Sequence, residues 1–380
     1  MKGFFTIAKM KDLDISRKKC RILYLVGQLG TGGLERQLSY LLQAMDRERY
    51  QPAVAVWNYK PEDKLAQTIA QLGVPLYPLS ATLSSLGKLR AFRHLVKTCR
   101  PEVVHSYSFY TNFAVWYATL GKSILSIGSI RQNFLFERQK AGKLLGRLSA
   151  RWPGTQICNS EAAKSTIESL QECAKPRFVI TVRNRLDITQ FRHHPVPKGQ
   201  PHLLAVGRLF PEKRWDRLLE SLAIIANRGL KFSISHAGDG PLRQELETRA
   251  KQLGIDGFIH FLGHRHDIPA LLKDATFLVH TSDDEGCPNV VMEAMACGRA
   301  VVATDAGDVP YMIEDGITGF LVRRGDDSTL VESIVRLMSD NDLTCRMGDS
   351  ARAKAEEDFG LTHLGTETLA AYRMAGWEDR

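Results

Sequence analysis

Apolar and polar positions recur along this chain in one order: a short apolar run, a turn rich in glycine or polar residues, then apolar side chains at helical spacing. Ile22 to Val26 has the continuous apolar character of a strand that a parallel sheet buries on both faces. Gln28 to Gly33 forms a glycine-rich turn, after which Leu34, Leu38, Leu41, Leu42 and Met45 fall on one helical face. AVAVW, VPLYPL, EVVHSYS, SILSIGSI and TQICNS predict further strands, with helices near 62–72, 85–98 and over EAAKSTIESL. A second series runs through HLLAVG, KFSISHAGDG, IHFLG, TFLVHTS, RAVVATD and GFLV. Alternation of this kind implies parallel sheets covered by helices on both faces.

Between the two series lies HHPVPKGQPH, residues 193–202, with three prolines and a glycine in ten positions, the composition of a linker. The fold class predicted is therefore α/β with two doubly wound, Rossmann-like domains, at 19–195 and 200–360. Residues 1–18 read as a loose tail, because Lys9 interrupts their apolar run before it reaches the length of a signal h-region.

A length of 380 residues with 44% hydrophobic and 24% charged positions suits two such domains and excludes disordered, collagenous and membrane-bundle classes. The longest apolar stretches, such as Phe113 to Leu120, are far short of the roughly 20 residues a spanning helix needs. Seven cysteines without a CxxC pair favour neither a disulfide framework nor a zinc site, and a reducing cytoplasm fits them. The net charge of +9 hides a division: residues 1–190 carry 29 Lys and Arg against 13 Asp and Glu, the remainder 22 against 29. The two halves face different partners.

In an open parallel sheet, ligands bind beyond the carboxyl ends of the strands, so the loops after each apolar run carry the candidate chemistry. In GQLGTGGLER, Gly30, Gly32 and Gly33 allow close backbone approach, and the next helix offers free N–H groups to an anion. In GRLFPEKRW, Arg208 and Lys213 can converge on a phosphate, one as a fork and one as a point charge. TSDDEGCPNVVMEAMACG places Glu285 in a loop and Glu293 about a turn inside an apolar helix beginning near Asn289. A carboxylate inside such a helix needs a partner, either a ligand's hydroxyl pair or a core arginine or backbone donor. His105 lies just past a buried strand. Asp283 and Asp284 have no companions at ligand spacing, so no metal is expected.

The combination GTGGLER, NRLDITQF, GRLFPEK, HAGDGPL, FLGH and the E-x7-E of Glu285 and Glu293 resembles the retaining glycosyltransferases of the GT-B fold, glycosyltransferase family 4, over about residues 20–360. The resemblance implies two Rossmann-like domains facing a cleft, with acceptor mainly on the first and sugar nucleotide mainly on the second. It implies that Arg208 and Lys213 hold the donor diphosphate and Glu285 the sugar hydroxyls. Gly286, Cys287, Pro288, Asn289 and Val290 would meet the sugar and phosphate through backbone groups, and Glu293 the ribose. Gly32 and Gly33 correspond to the family's glycine loop, Gly263 falls in the donor-side FLGH, and His105 would lie near the sugar and acceptor. A final helix at 362–377 would cross back onto the first domain. No cofactor beyond the nucleotide-sugar substrate is implied.

Three departures accompany the resemblance. Asn184, Arg185, Leu186, Asp187 stand where the family often has NGID, which would bring Arg185 into the cleft wall. Gly307, Asp308, Val309, Pro310, Tyr311 stand where it has GG-x-PE, and His105, Ser106, Tyr107 where it often has HxH. No convincing enzymic nucleophile is evident, so a front-face route is expected in which the departing phosphate takes the acceptor proton. Twelve basic residues between Lys88 and Arg151 face only Glu102 and Glu137, and two segments set them beside leucines at helical spacing. That pattern suits an anionic membrane surface and predicts a peripheral cytoplasmic-face enzyme acting on a lipid-linked glycan in cell-envelope polysaccharide or lipopolysaccharide assembly. The alternatives are a transferase with a small soluble acceptor and a non-catalytic sugar-nucleotide-binding partner subunit. Nucleic acid is not expected as a partner, since the basic half lacks a basic and aromatic sheet signature.

Overall fold

The computed structural model describes residues 21–30, 32–171 and 173–378, so the tail expected at 1–18 lies outside the described residues. Among the described residues the first sheet has seven parallel strands, β1 (Ile22–Val26), β2 (Pro52–Val56), β3 (Leu76–Pro78), β4 (Val103–Ser106), β5 (Leu125–Ile130), β6 (Thr155–Cys158) and β7 (Phe178–Thr181), in the order β3-β2-β1-β4-β5-β6-β7. Helices α1 (Gly33–Ala44), α2 (Lys64–Gln71), α3 (Ser85–Cys99), α4 (Asn112–Thr119), α5 (Phe134–Lys140), α6 (Lys143–Arg151) and α7 (Glu161–Ser169) connect them. β1 and β2 are buried at every position, which is why they read as unbroken apolar runs.

The second sheet has six strands, β8 (His202–Val206), β9 (Ser233–Ala237), β10 (Ile259–Gly263), β11 (Phe277–His280), β12 (Val301–Thr304) and β13 (Gly319–Val322), in the order β10-β9-β8-β11-β12-β13. Around it lie α8 (Trp215–Asn227), α9 (Arg243–Gln252), α10 (Ile268–Asp274), α11 (Asn289–Ala296), α12 (Val309–Met312), α13 (Asp327–Ser339) and α14 (Asn341–Asp358). Strand order reverses between β1 and β4 in one sheet and between β8 and β11 in the other. The crevice beyond such a switch point is where open α/β sheets take ligands.

The chain crosses between the domains earlier than the proline-rich segment suggests. Leu186 N donates to Phe359 O at 2.8 Å and bridges Gly360, so the outward and return crossings lie side by side. Residues 191–195 are already packed on the second domain: Arg352 donates to Phe191 O at 2.6 Å, and the fully buried Arg299 donates to the carbonyls of His194 and Pro195. Held by side-chain donors, that segment is no free linker. The return crossing leads into α15 (Leu361–Met374), which packs on α1 and belongs to the first domain. A Cβ at Gly365 would stand 3.0 Å from Ala44 O, so glycine permits the close approach.

Candidate active site

The loops after β8 and β11 meet at the second switch point. Trp215 Nε1 donates to Arg208 O at 2.9 Å, and Thr281 Oγ1 donates to the carbonyls of Lys213 and Arg214, tying the turn after β8 to the end of β11. Asp283, one of the two acidic residues weighed for a metal, is taken by Arg214 and Arg217, both at 2.7 Å. The clasp delivers Lys213 Nζ to Glu285 Oε1 at 2.5 Å, with His280 Nε2 2.8 Å from the same oxygen. Burial would push the Glu285 carboxyl up, but the Lys213 ammonium, with the His280 ring beside it, outweighs it and holds the group well below the carboxylate range. Arg208 is placed differently. It is half exposed, 3.7 Å from Glu212 and 4.8 Å from the centre of the Phe210 ring, so its guanidinium is available to a ligand.

Glu285 leads directly into α11, whose N-cap is Pro288 and whose first turn has no side-chain cap. The amides there are open to an anion, whereas at α1, whose N-cap is Gly32, the buried Glu35 carboxylate already lies against the first turn. The two helix starts approach each other: a Cβ on Gly33 would come 2.9 Å from Asn289 Nδ2. Asn289 Oδ1 accepts from Asn184 Nδ2 at 3.0 Å and from Gln37 Nε2 at 3.3 Å, while Asn184 Nδ2 also donates to Cys287 O. Val290 is half-buried beside them. Gly263, at the end of β10, has a φ of 67° and accepts from Gly238 N through its carbonyl.

Glu293 is buried inside α11, as its apolar neighbours require, and its Oε1 lies 2.7 Å from Arg36 on α1. Burial raises its carboxyl above the ordinary value, and Arg36 offsets part of that rise. Of the partners open to it from sequence, this structure contains an arginine.

Two residues expected in the cleft are elsewhere. His105 is fully buried, with Nδ1 2.7 Å from Tyr372 Oη on α15 and Nε2 3.0 Å from Ser129 Oγ on β5. Burial, helped by the charge of Arg131, drives its ring toward the neutral form. With both nitrogens bonded to protein, it fastens the last helix, its ring 5.5 Å from that of Tyr107. Arg185, expected in the cleft wall, pairs with Glu367 of α15, while its backbone N–H and carbonyl are held by Gln37 of α1, the helix on which α15 packs. Asp308 turns out to bridge the domains. It accepts from the N–H groups of Glu161 and Ala162 at the start of α7, and from Arg183 Nε at 2.6 Å. Arg183 also covers the Tyr311 ring at 4.0 Å, so both departures from GG-x-PE converge on one arginine.

Other residues at the carboxyl ends of the first sheet were given no site role from sequence. Tyr107 follows β4, Arg131 follows β5 and Asn159 follows β6, all buried. The Asn133 side chain lies close to the Asp284 carboxylate, and a Cβ on Gly286 would come within 2.8 Å of Asn159 Oδ1. The loop carrying Glu285 therefore lies directly on this group. Among the described residues no three His, Cys, Asp or Glu side chains stand together in a metal-ligating group.

The chain matches the family described as Glycosyltransferase Family 4 over residues 31–184 and that described as Glycosyl transferases group 1 over residues 187–354. It is 26% identical, over 92% of its own length and 97% of the relative's, to the GalNAc-alpha-(1->4)-GalNAc-alpha-(1->3)-diNAcBac-PP-undecaprenol alpha-1,4-N-acetyl-D-galactosaminyltransferase of Campylobacter jejuni. An uncharacterized glycosyltransferase of Haemophilus influenzae is 23% identical over 90% of this chain and 97% of that one. Among solved structures, Anabaena Alr3699/HepE in complex with UDP-glucose superposes with a TM-score of 0.78 at 20% identity, covering 93% of this chain and 99% of that one. The lipopolysaccharide outer core galactosyltransferase WaaB gives 0.72 at 18% identity, with 93% and 99% covered. The two sheets and their crossings are thus those of the GT-B fold.

Proposed function

The chain belongs to the GT-B family 4 glycosyltransferases, and on that premise we propose that it moves a sugar from a nucleoside-diphosphate sugar to a glycan or lipid-linked glycan, with retention and without a metal ion. The observation that carries the reading is Lys213 against Glu285 at the mouth of the uncapped α11, with the Arg208 guanidinium on the same strand-end loop. Breaking the bond from C1 to the phosphate oxygen builds negative charge on the leaving diphosphate. Arg208, Lys213 and the α11 amides offer fixed positive charge to it, which lowers the barrier without reorganisation.

Glu285 is bound by Lys213 and His280, and its carboxylate is a weak base, so it does not act as a nucleophile beneath the sugar. This favours a front-face exchange. The acceptor oxygen bonds to C1 on the side the diphosphate leaves, and the acceptor proton passes to a phosphate oxygen. Glu293 turns to the ribose hydroxyls when nucleotide enters, sharing them with Arg36.

The acceptor reading rests on α5 and α6. Leu135, Phe136, Leu144 and Leu145 are exposed, Leu144 to 75%, beside the exposed Lys140, Lys143 and Arg147. No helix among the described residues is long and apolar enough to cross a membrane, and this face suits one that lies on an anionic surface. The C. jejuni relative is named for an undecaprenyl-diphosphate-linked acceptor, which agrees with that reading.

A thermal-shift panel of UDP, GDP, ADP and their sugars tests the donor. A true ligand at a hundred times its dissociation constant stabilises the native state by about 2.7 kcal/mol, and nucleotides that do not bind leave the melting temperature unchanged. Proton NMR of the product then reads the anomeric configuration, and inversion would end the front-face route.

A further inference from the structure

The first domain holds a positive charge that the chemistry so far leaves unused. Arg131 follows β5 at the carboxyl edge of the sheet and is 8% exposed. Its guanidinium lies 4.2 Å from the centre of the Tyr107 ring, and among the described residues no carboxylate comes within ion-pair distance of it, while its Nε is buried without a hydrogen-bond partner. Glu137 is the nearest acid along the chain, but its Oε2 accepts from the backbone N of Arg131 at 3.2 Å, and burial pushes its carboxyl up to about 7, so it is a poor counterion. A buried guanidinium without an anion is costly, and such groups are ordinarily paired.

A second orphan sits beside it. Asn159 is 4% exposed; its Nδ2 donates to Arg131 O at 3.3 Å, and its Oδ1 has no partner and faces Gly286. Although the guanidinium meets Tyr107, Arg131 Nε lacks an acceptor and Asn159 Oδ1 lacks a donor, at the point where the acceptor domain meets the loop of Glu285. A hydroxyl next to a phosphate or carboxylate satisfies both, because the hydroxyl donates to the amide oxygen and the anion accepts from the guanidinium.

We infer that Arg131 and Asn159 form an acceptor subsite selecting a molecule whose anionic group, phosphate or carboxylate, lies close to the attacking hydroxyl. The inference rests on the transferase reading for the word acceptor. Without that reading the two residues remain an anion and hydroxyl site.

The test is calorimetric titration of glycerol 3-phosphate, with glycerol as control, into the wild type, Arg131→Gln, Arg131→Lys and Arg208→Ala, each checked for folding by circular dichroism. The expected result is binding of glycerol 3-phosphate but not glycerol to the wild type, at least tenfold weaker binding in Arg131→Gln, an intermediate loss in Arg131→Lys, and less than a twofold change in Arg208→Ala. If Arg131→Gln fails to fold, Arg131→Lys decides, since it keeps the charge and loses the fork. Wild-type binding no tighter than glycerol, variants of Arg131 that match the wild type, or a loss that follows Arg208 would each overturn the proposal, the last by placing the phosphate in the donor site. A nucleotide panel that fails while this pattern holds removes the donor reading and leaves the subsite. The opposite result removes the subsite alone.

Discussion

Arg36 and Glu293 meet at 2.7 Å across the domain boundary, one from the first helix of the first domain and the other from the buried α11 of the second. Each arrives by a different physical route. Arg36 extends from a helix that begins at a glycine turn, whereas Glu293 is held in place by Val291, Met292, Ala294 and Met295 packed around it. The pair joins the element expected to receive the ribose to the element expected to approach the phosphates, so nucleotide entry and domain contact act on one carboxylate.

The two glutamates of E-x7-E should therefore respond oppositely to the same substitution. Glu293→Gln removes a desolvated charge and leaves Arg36, a third exposed, able to reach water, so the melting temperature should hold or rise while nucleoside-diphosphate affinity falls at least tenfold. Glu285→Gln leaves Lys213, 15% exposed, without its counterion, so it should destabilise the fold and slow transfer with a smaller effect on nucleotide affinity. Thermal melts and nucleotide titrations on both variants measure this, and equal losses of affinity would refute the division of roles.

Lys213 and Arg208 should separate in the same way. Removing either preorganised positive group should raise the transfer barrier by about 2 to 4 kcal/mol. Arg208→Ala should leave stability nearly unchanged, because the side chain is 54% exposed and its contact with Glu212 spans 3.7 Å. Lys213→Ala breaks a buried pair and should cost about 3 to 5 kcal/mol of folding free energy as well. Urea unfolding beside single-turnover kinetics distinguishes the two effects, and near wild-type turnover in a folded Arg208→Ala would remove that residue from the leaving-group role.

Much of this was legible in the sequence, and the failures share a cause. The strand series, the helix start at Asn289 and the partner required by Glu293 follow from periodicity and burial, which are local properties. His105 and Arg185 were misplaced because their partners, Tyr372 and Glu367, lie 267 and 182 residues away on α15. The family resemblance implies that a final helix returns to the first domain, yet not which polar groups it consumes. Lys88 failed similarly: counted among surface cations, it is buried and donates to Trp57 O and Asn58 Oδ1. Arg131 followed a predicted strand, and Tyr107 and Asn159 fell at the ends of predicted strand segments; that position was the signal available for them.

Acid should expose the opposite signs of the two carboxyl shifts. Glu285 is held below its ordinary value of 4.5, so its contribution to stability is complete above that pH and is lost as the pH falls below it. Glu293 is raised above 4.5, so its burial costs nothing in more acid solution and costs more as the pH climbs past that value. In urea titrations from pH 3.5 to about 7.5, the wild-type advantage over Glu285→Gln should shrink toward acid. The advantage of Glu293→Gln over wild type should shrink in the same direction, since its origin is the charged form. Differences that stay constant with pH in both variants would show that neither carboxyl shifts on folding.

The remaining prediction concerns the face formed by α5 and α6. On α3, the apolar Phe92 and Val96 are fully buried and Arg93 donates to Tyr117 O, so that helix is an ordinary packed element with only Leu86 well exposed at its start. The segment from Leu135 to Arg147 is different. Phe136 is half exposed and Leu144 three-quarters exposed, with Lys140, Lys143 and Arg147 alongside, and Asn133 at the start of α5 touches Asp284 of the donor loop. A protein lying on a membrane through this face would hold its cleft next to the headgroups, within reach of a lipid-linked acceptor. Each nearby Lys or Arg adds about 1 kcal/mol of attraction to an anionic surface, and that attraction is screened over roughly 10 Å at 0.1 M salt. Flotation with vesicles containing phosphatidylglycerol should show binding that fades as salt rises, and vesicles of phosphatidylcholine alone should bind weakly. The double variant Lys140→Glu, Lys143→Glu should abolish the salt-sensitive part, and Phe136→Ser with Leu144→Ser should weaken binding at every salt concentration, both without loss of nucleotide affinity. Absence of binding to anionic vesicles at low salt, together with efficient transfer to a soluble neutral glycan, would reassign this face and make the acceptor soluble.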